Sequence, residues 1–204
     1  MQKLMFNDEF LLTAAVEEGE KTMTRRIIPE KVLIEQGIEK ATEAYRMEQL
    51  AKACPFKVGE IVAVAMSYSK AEKCLKPSER AEYRAKVAKA HKKDFAEQTA
   101  GWGNKMFVKA ELMPVQIRIL AVKATRLKDI HDDECLKEGI MIMSPRFVKN
   151  NKRFYYVDWR DKEYCFDSLQ RAFRSLIMNI EGRKICLKNP LVWAIEFELV
   201  SETL

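Results

Sequence analysis

Eight consecutive residues constrain this chain more than any others: Gly19-Glu20-Lys21-Thr22-Met23-Thr24-Arg25-Arg26. They pack a helix stop, an amine, two hydroxyls and two guanidiniums into one stretch. Upstream, Phe10, Leu11, Ala14 and Ala15 recur at helical spacing behind Asn7, a good N-cap, and Gly19 is the left-handed residue expected just past such a helix. Downstream, Ile27-Ile28 is β-branched, so the stretch is predicted to run into a strand. Alternation then sends Lys21, Met23 and Arg25 to one face and Thr22, Thr24 and Arg26 to the other, unless a bulge relaxes it. The stretch reads either as a site or as a charged edge strand with ordinary turn residues.

The chemistry open to such a site is narrow. His91 and His131 are the only histidines, 40 positions apart, which leaves little for a Ser/His/Asp triad or a His-based metal centre. Cys54, Cys74, Cys135, Cys165 and Cys186 are odd in number and widely spaced, fitting neither a disulfide framework nor a zinc site. We therefore expect reduced thiols, no metal and no cofactor, with any reaction left to Lys, Thr, Glu, Arg or Tyr. At 204 residues, with 48% hydrophobic and 32% charged residues, the chain is expected to form one globular domain. No apolar run approaches the roughly 20 residues of a membrane span, and Asn7-Asp8-Glu9 interrupts the start before a signal-peptide core could form. The expectation is a cytoplasmic protein with no membrane partner.

The formal charge of +6 is unevenly spread. Between Met141 and Pro190 stand eleven cationic and five acidic residues, a difference equal to the excess of the whole chain. Within it, Phe147 to Trp159 interleaves Lys149, Lys152 and Arg153 with Phe154, Tyr155 and Tyr156, the mixture that binds phosphates by charge and bases by stacking. An amphipathic hairpin turning at Asn150-Asn151, aromatics inward, shows the same alternation.

Helical segments are expected over 29–53, broken near Gly37, and over 77–100, where an Ala/Lys/Arg/Glu-rich helix should be mostly solvated. Both look like insertions. Ile61 to Met66 is a buried strand, and Met106 to Met113 and Val115 to Lys123 read as strands flanking Pro114. Asp132 to Lys137 reads as a short helix closed by Gly139, which leaves Glu138 opposing the helix dipole and in need of a cation. Asp167 opens an amphipathic helix ending at Gly182, and the alternation of Trp193, Ile195, Phe197 and Leu199 predicts a final half-buried strand.

Four ordered pieces of this sequence resemble the ASCH domain, a relative of the PUA fold. They are Gly19 to Arg26; Phe56-Lys57-Val58-Gly59-Glu60-Ile61-Val62-Ala63-Val64; Leu127-Lys128-Asp129-Ile130 through Leu136-Lys137-Glu138-Gly139-Ile140; and Asn189-Pro190-Leu191-Val192-Trp193-Ala194-Ile195-Glu196-Phe197. The longer bacterial and phage members, which carry insertions between these pieces, look most similar. The resemblance implies a single α+β domain over 1–204: a PUA-like small β-barrel flanked by helices, with RNA or a nucleotide-like ligand in a basic cleft. The ligand-binding residues then fall on Lys21, Thr22, Arg25, Arg26, Lys149, Lys152, Arg153 and Tyr155.

Some compact ASCH proteins are amidohydrolases of N4-acetylcytidine, and their Lys, Thr and Glu fall on Lys21, Thr24 and Glu138. A partly desolvated lysine could take the threonine proton and leave the hydroxyl to attack an amide carbonyl. Two departures set this chain apart: Arg25 stands where the compact enzymes usually carry an apolar residue, and the chain is about twice their length. Binding is the leading expectation and hydrolysis the alternative. A phage or mobile-element protein working through protein contacts is a third reading.

Overall fold

The computed structural model describes residues 1–35, 42–142, 154–158, 160 and 162–200. In chain order the elements are β1 (Gln2–Met5), α1 (Leu12–Glu17), β2 (Met23–Ile27), α2 (Glu30–Glu35), α3 (Glu43–Lys52), β3 (Ile61–Ala65), α4 (Tyr68–Cys74), α5 (Pro77–His91), β4 (Gln116–Arg126), α6 (Asp132–Lys137), β5 (Met141–Ile142), β6 (Phe154–Val157), β7 (Glu163–Phe166), α7 (Leu169–Glu181), α8 (Arg183–Leu187) and β8 (Leu191–Val200). This is an α+β chain with a five-stranded mixed sheet, ordered β1-β3-β4-β8-β2, and a three-stranded sheet, β5-β6-β7. Among the described residues the first sheet's hydrogen bonding is open-ended, with β1 and β2 at its edges.

The chain divides into two compact units. One comprises Met1–Phe6, Ile61–Arg118 and Leu199–Leu204; the other comprises Asn7–Glu60 and Ile119–Glu198. In the first, β1 runs parallel to β3, with Leu4 opposite Val64, and the apolar run Val62 to Met66 is buried as its composition demands. Pro77 opens α5 as expected, but the helix is not simply solvated: Tyr83, Val87 and Ala88 form a buried stripe, and Tyr83 meets the Tyr68 ring edge-on at 6.4 Å. Met106 to Met113 is not a strand. It forms two 3-10 turns, because its backbone bonds locally, as in Met113 N–H to the Ala110 carbonyl, while Lys109 N–H is taken by the Tyr68 hydroxyl at 2.8 Å.

In the second unit, β2 and β8 pair antiparallel, with Met23 opposite Glu196 and Arg26 opposite Trp193. Alternation predicts a half-buried β8, yet Leu191 through Ile195 are all buried, so both faces of its first half are covered. One cover is α3, whose buried Leu50 accepts a hydrogen bond from Trp193 Nε1 through its carbonyl at 2.7 Å. Ser168, one residue beyond Asp167, caps α7; Leu169, Ala172, Phe173, Leu176 and Ile177 are buried along one face, and Gly182 follows with φ +89. The expected turn at Asn150-Asn151 lies outside the described residues. The hairpin that is seen turns after β6, where the Asp158 carboxylate accepts from the N–H groups of Arg160 and Lys162.

Candidate functional site

The site is built where the start of β2 meets the end of α6. Asn7 does not cap α1 directly: its Oδ1 accepts from Glu9 N–H and Phe10 N–H, forming a turn ahead of the helix, and Leu11 takes the cap position with φ 54. Gly19, at φ +75, ends the helix as its position predicted, and Lys21 N–H then bonds back to the Ala15 carbonyl. Thr22 is held on both sides by its backbone, donating to the Lys137 carbonyl and accepting from Phe197 N–H. Three stretches remote in sequence are thereby locked together.

Glu138 is the C-cap of α6, and Gly139 follows with φ +95. A Cβ at Gly139 would meet Leu12 Cδ2 at 3.4 Å and Lys21 Cδ at 3.8 Å, ordinary contacts, so it is the positive φ that calls for glycine here. Lys21 Nζ donates to Glu138 Oε2 at 2.8 Å and to the Glu138 carbonyl at 2.7 Å, while Arg25 Nη1 donates to Glu138 Oε1 at 2.9 Å. The other arm of Arg25 reaches Glu134 Oε2 at 2.7 Å, and the second Glu134 oxygen pairs with Lys123. The result is an alternating chain, Lys21, Glu138, Arg25, Glu134, Lys123, in which all but Lys123 are buried.

Burial lowers the pKa of Lys21 below its ordinary value; Glu138 opposes the shift, while Arg26 and Arg25 add to it. Phe173 lies under the Arg25 guanidinium, 5.4 Å from ring centroid to carbon, and Arg25 Nε is buried without a hydrogen-bond partner. Arg26 is half-buried and feels both Glu138 and Glu181. With Arg26 and Glu181 included, four cations face three carboxylates, so the assembly keeps a small positive balance.

Of the residues singled out from the sequence, Lys21, Arg25 and Glu138 are in direct contact, and Arg26 is within electrostatic reach. Thr22 is half-buried, and its N–H bonds the Lys137 carbonyl next to Glu138. Thr24 is also buried, but strand alternation directs it to the face of β2 opposite Met23 and Arg25. Tyr155 sits half-buried on β6, opposite Met141 and Cys165. Lys149, Lys152 and Arg153 lie outside the described residues.

Two participants escaped the sequence reading, Glu134 and Lys123. Glu134 falls three residues after His131 at the start of α6, where its carboxylate also accepts from His131 N–H, a capping position that by itself signals no second role. Among the described residues no group of three His, Cys, Asp or Glu side chains could hold a metal ion, and no helix is long and apolar enough to cross a membrane. In comparisons with known proteins, no family model, curated protein or solved structure matches this chain.

Proposed function

We propose that the chain is an ASCH-type domain with a PUA-like small barrel, and that it binds RNA or a nucleotide-like ligand beside the start of β2. One observation carries this reading: Lys21 and Arg25, from the first of the four resembling pieces, converge on Glu138 from the third. The fourth piece, β8, pairs with β2 at the same place. The positive balance of the cluster supports an anionic ligand. Lys21 and Arg25 bond Glu138 and so shape the site, and Arg26, which feels the same carboxylate, adds to the positive field around it. Lys149, Lys152, Arg153 and Tyr155, named from the sequence, are its further candidate contacts.

Fluorescence anisotropy with a labelled single-stranded RNA tests the reading. Wild type should bind with a steep salt dependence through counterion release, and Arg26→Ala or the triple reversal of Lys149, Lys152 and Arg153 to Glu should weaken binding across sequences. No binding by wild type, or full binding by both variants, would overturn it.

A second reading, hydrolysis of N4-acetylcytidine-like amides, is favoured by one observation: burial lowers the Lys21 pKa, as a lysine base requires. Against it, Thr24 stands on the other face of β2. Production of cytidine from the acetylated nucleoside, lost in each of Lys21→Ala, Thr24→Ala and Glu138→Ala, would establish this activity; no turnover at high protein concentration would dismiss it.

A further inference from the structure

Part of the cation surplus concentrated after Met141 lies on α7, α8 and their flanks. Arg174, Arg183, Lys184 and Lys188 are all exposed there. Among them opens a pocket whose floor is apolar, made by Leu127, Ile130, Phe173 and Ile177, each buried. Two exposed cations, Lys128 and Arg174, stand at its rim; no carboxylate is part of its lining, though the lining Gln170 donates to Asp132 Oδ1 just outside it. Lys128 is held at this rim by its backbone, whose N–H donates to Asn189 Oδ1 at 2.8 Å.

The empty space, counting the open mouth, is about 320 Å³. Its interior is narrow, with room for about one or two waters, so only an exocyclic group or the edge of a ring can enter while the rest of the ring stays in the open mouth. An apolar slot with paired cations at its rim, the nearby Asp132 carboxylate being engaged by Gln170, is complementary to a planar ring that carries phosphate. Lys184 and Lys188, each two residues from the pocket-lining Cys186, continue the positive field past the length of one phosphate, which favours a strand over a free nucleotide.

We propose that this slot accepts the edge of a nucleobase of single-stranded RNA, with Lys128 and Arg174 holding the flanking phosphates. The proposal rests on the RNA-binding reading and adds to it a second contact surface on α7 and α8. Each phosphate contact on a single strand contributes about 0.7 to the slope of log affinity against log salt, so the two cations make a measurable share of that slope.

The test uses the full chain, a labelled oligouridylate and an abasic strand of equal length, read by anisotropy across a salt series. Wild type should prefer the base-bearing strand. The double variant Lys128→Glu/Arg174→Glu should bind about tenfold more weakly, with a slope smaller by about 0.7 for each phosphate no longer held. Both side chains are exposed, so its melting should match wild type. Gln170→Trp, which places a bulky ring at the mouth, should remove the preference for bases while keeping the salt slope. If the double variant binds like wild type while Arg26→Ala weakens binding, the second surface is wrong and the RNA reading stands. Equal binding of the abasic strand by wild type would likewise overturn the slot. If wild type binds neither strand, both readings fall together.

Discussion

Lys21 Nζ donates at once to the Glu138 carboxylate and to the Glu138 carbonyl, at 2.8 and 2.7 Å, so one ammonium neutralises a charge and caps the helix that carries it. A carboxylate at a helix C-terminus opposes the macrodipole by about 0.3–1 kcal/mol. Here the lysine answers both the side chain and the dipole, and Arg25 secures the remaining oxygen.

Removing the shared acid should therefore be costly. Glu138→Ala leaves two buried cations without their common partner, and a loss of about 3–5 kcal/mol is expected in urea denaturation. Arg25→Leu combined with Glu138→Ala should cost less than the sum of the single changes, because the double variant buries one orphaned charge fewer. Additive losses would show that Arg25 and Glu138 contribute independently.

Glu134 sets a dependence on acid. Burial pushes its carboxyl pKa up, but the Lys123 ammonium, the His131 N–H and Arg25 together hold it below the ordinary 4.5. The unfolded chain takes up that proton at a higher pH than the folded one. The stability Glu134 contributes is thus fully present above about pH 4.5 and is lost as pH falls through the lower folded value. Glu134→Gln should flatten this stretch of the stability profile, measured by urea midpoints from pH 7 downward.

Trp193→Phe should keep the ring packing of β8 and leave the Leu50 carbonyl without its donor. The cost expected is about 1–3 kcal/mol. Amide exchange should quicken in α3 before the rest of its unit; unchanged protection in α3 would mean that the helix is held by other contacts.

Thiol labelling reports the packing directly. Cys74 and Cys165 are exposed, whereas Cys54, Cys135 and Cys186 are buried, and burial pushes the Cys135 thiol up to about 12. A native sample should titrate two thiols with a disulfide reagent, and denaturant should release the other three. Rapid labelling of Cys135 would show that α6 opens.

Much of this was readable from local chemistry. Gly19 and Gly139, set after short helices, announced left-handed positions, and the α7 face followed from the spacing of Leu169, Ala172, Phe173, Leu176 and Ile177. Strand alternation placed Lys21 and Arg25 on one side, and both reach Glu138. What stayed hidden were partnerships set by tertiary packing. Nothing in the spacing tied Lys123 to Glu134, and the apolar residues of Met106 to Met113 suggested a strand because a pattern of burial does not say where the backbone finds its hydrogen bonds. Arg25 was named as a ligand contact and as a departure from the compact enzymes; its second acid, Glu134, makes it the centre of the cluster.

The Lys21–Glu138 contact spans 117 positions, and this bears on how the chain is made. During synthesis Lys21 and Arg25 leave the ribosome long before Glu138, and β2 must wait longer still for β8. Until then both cations are best kept in water, because burying either alone would strand a charge. The closing of so long a loop comes late in folding. A nascent chain halted before α6 should therefore hold its first strand pairing open, protease-sensitive around Met23–Ile27, and become protected there only once the last strand has emerged.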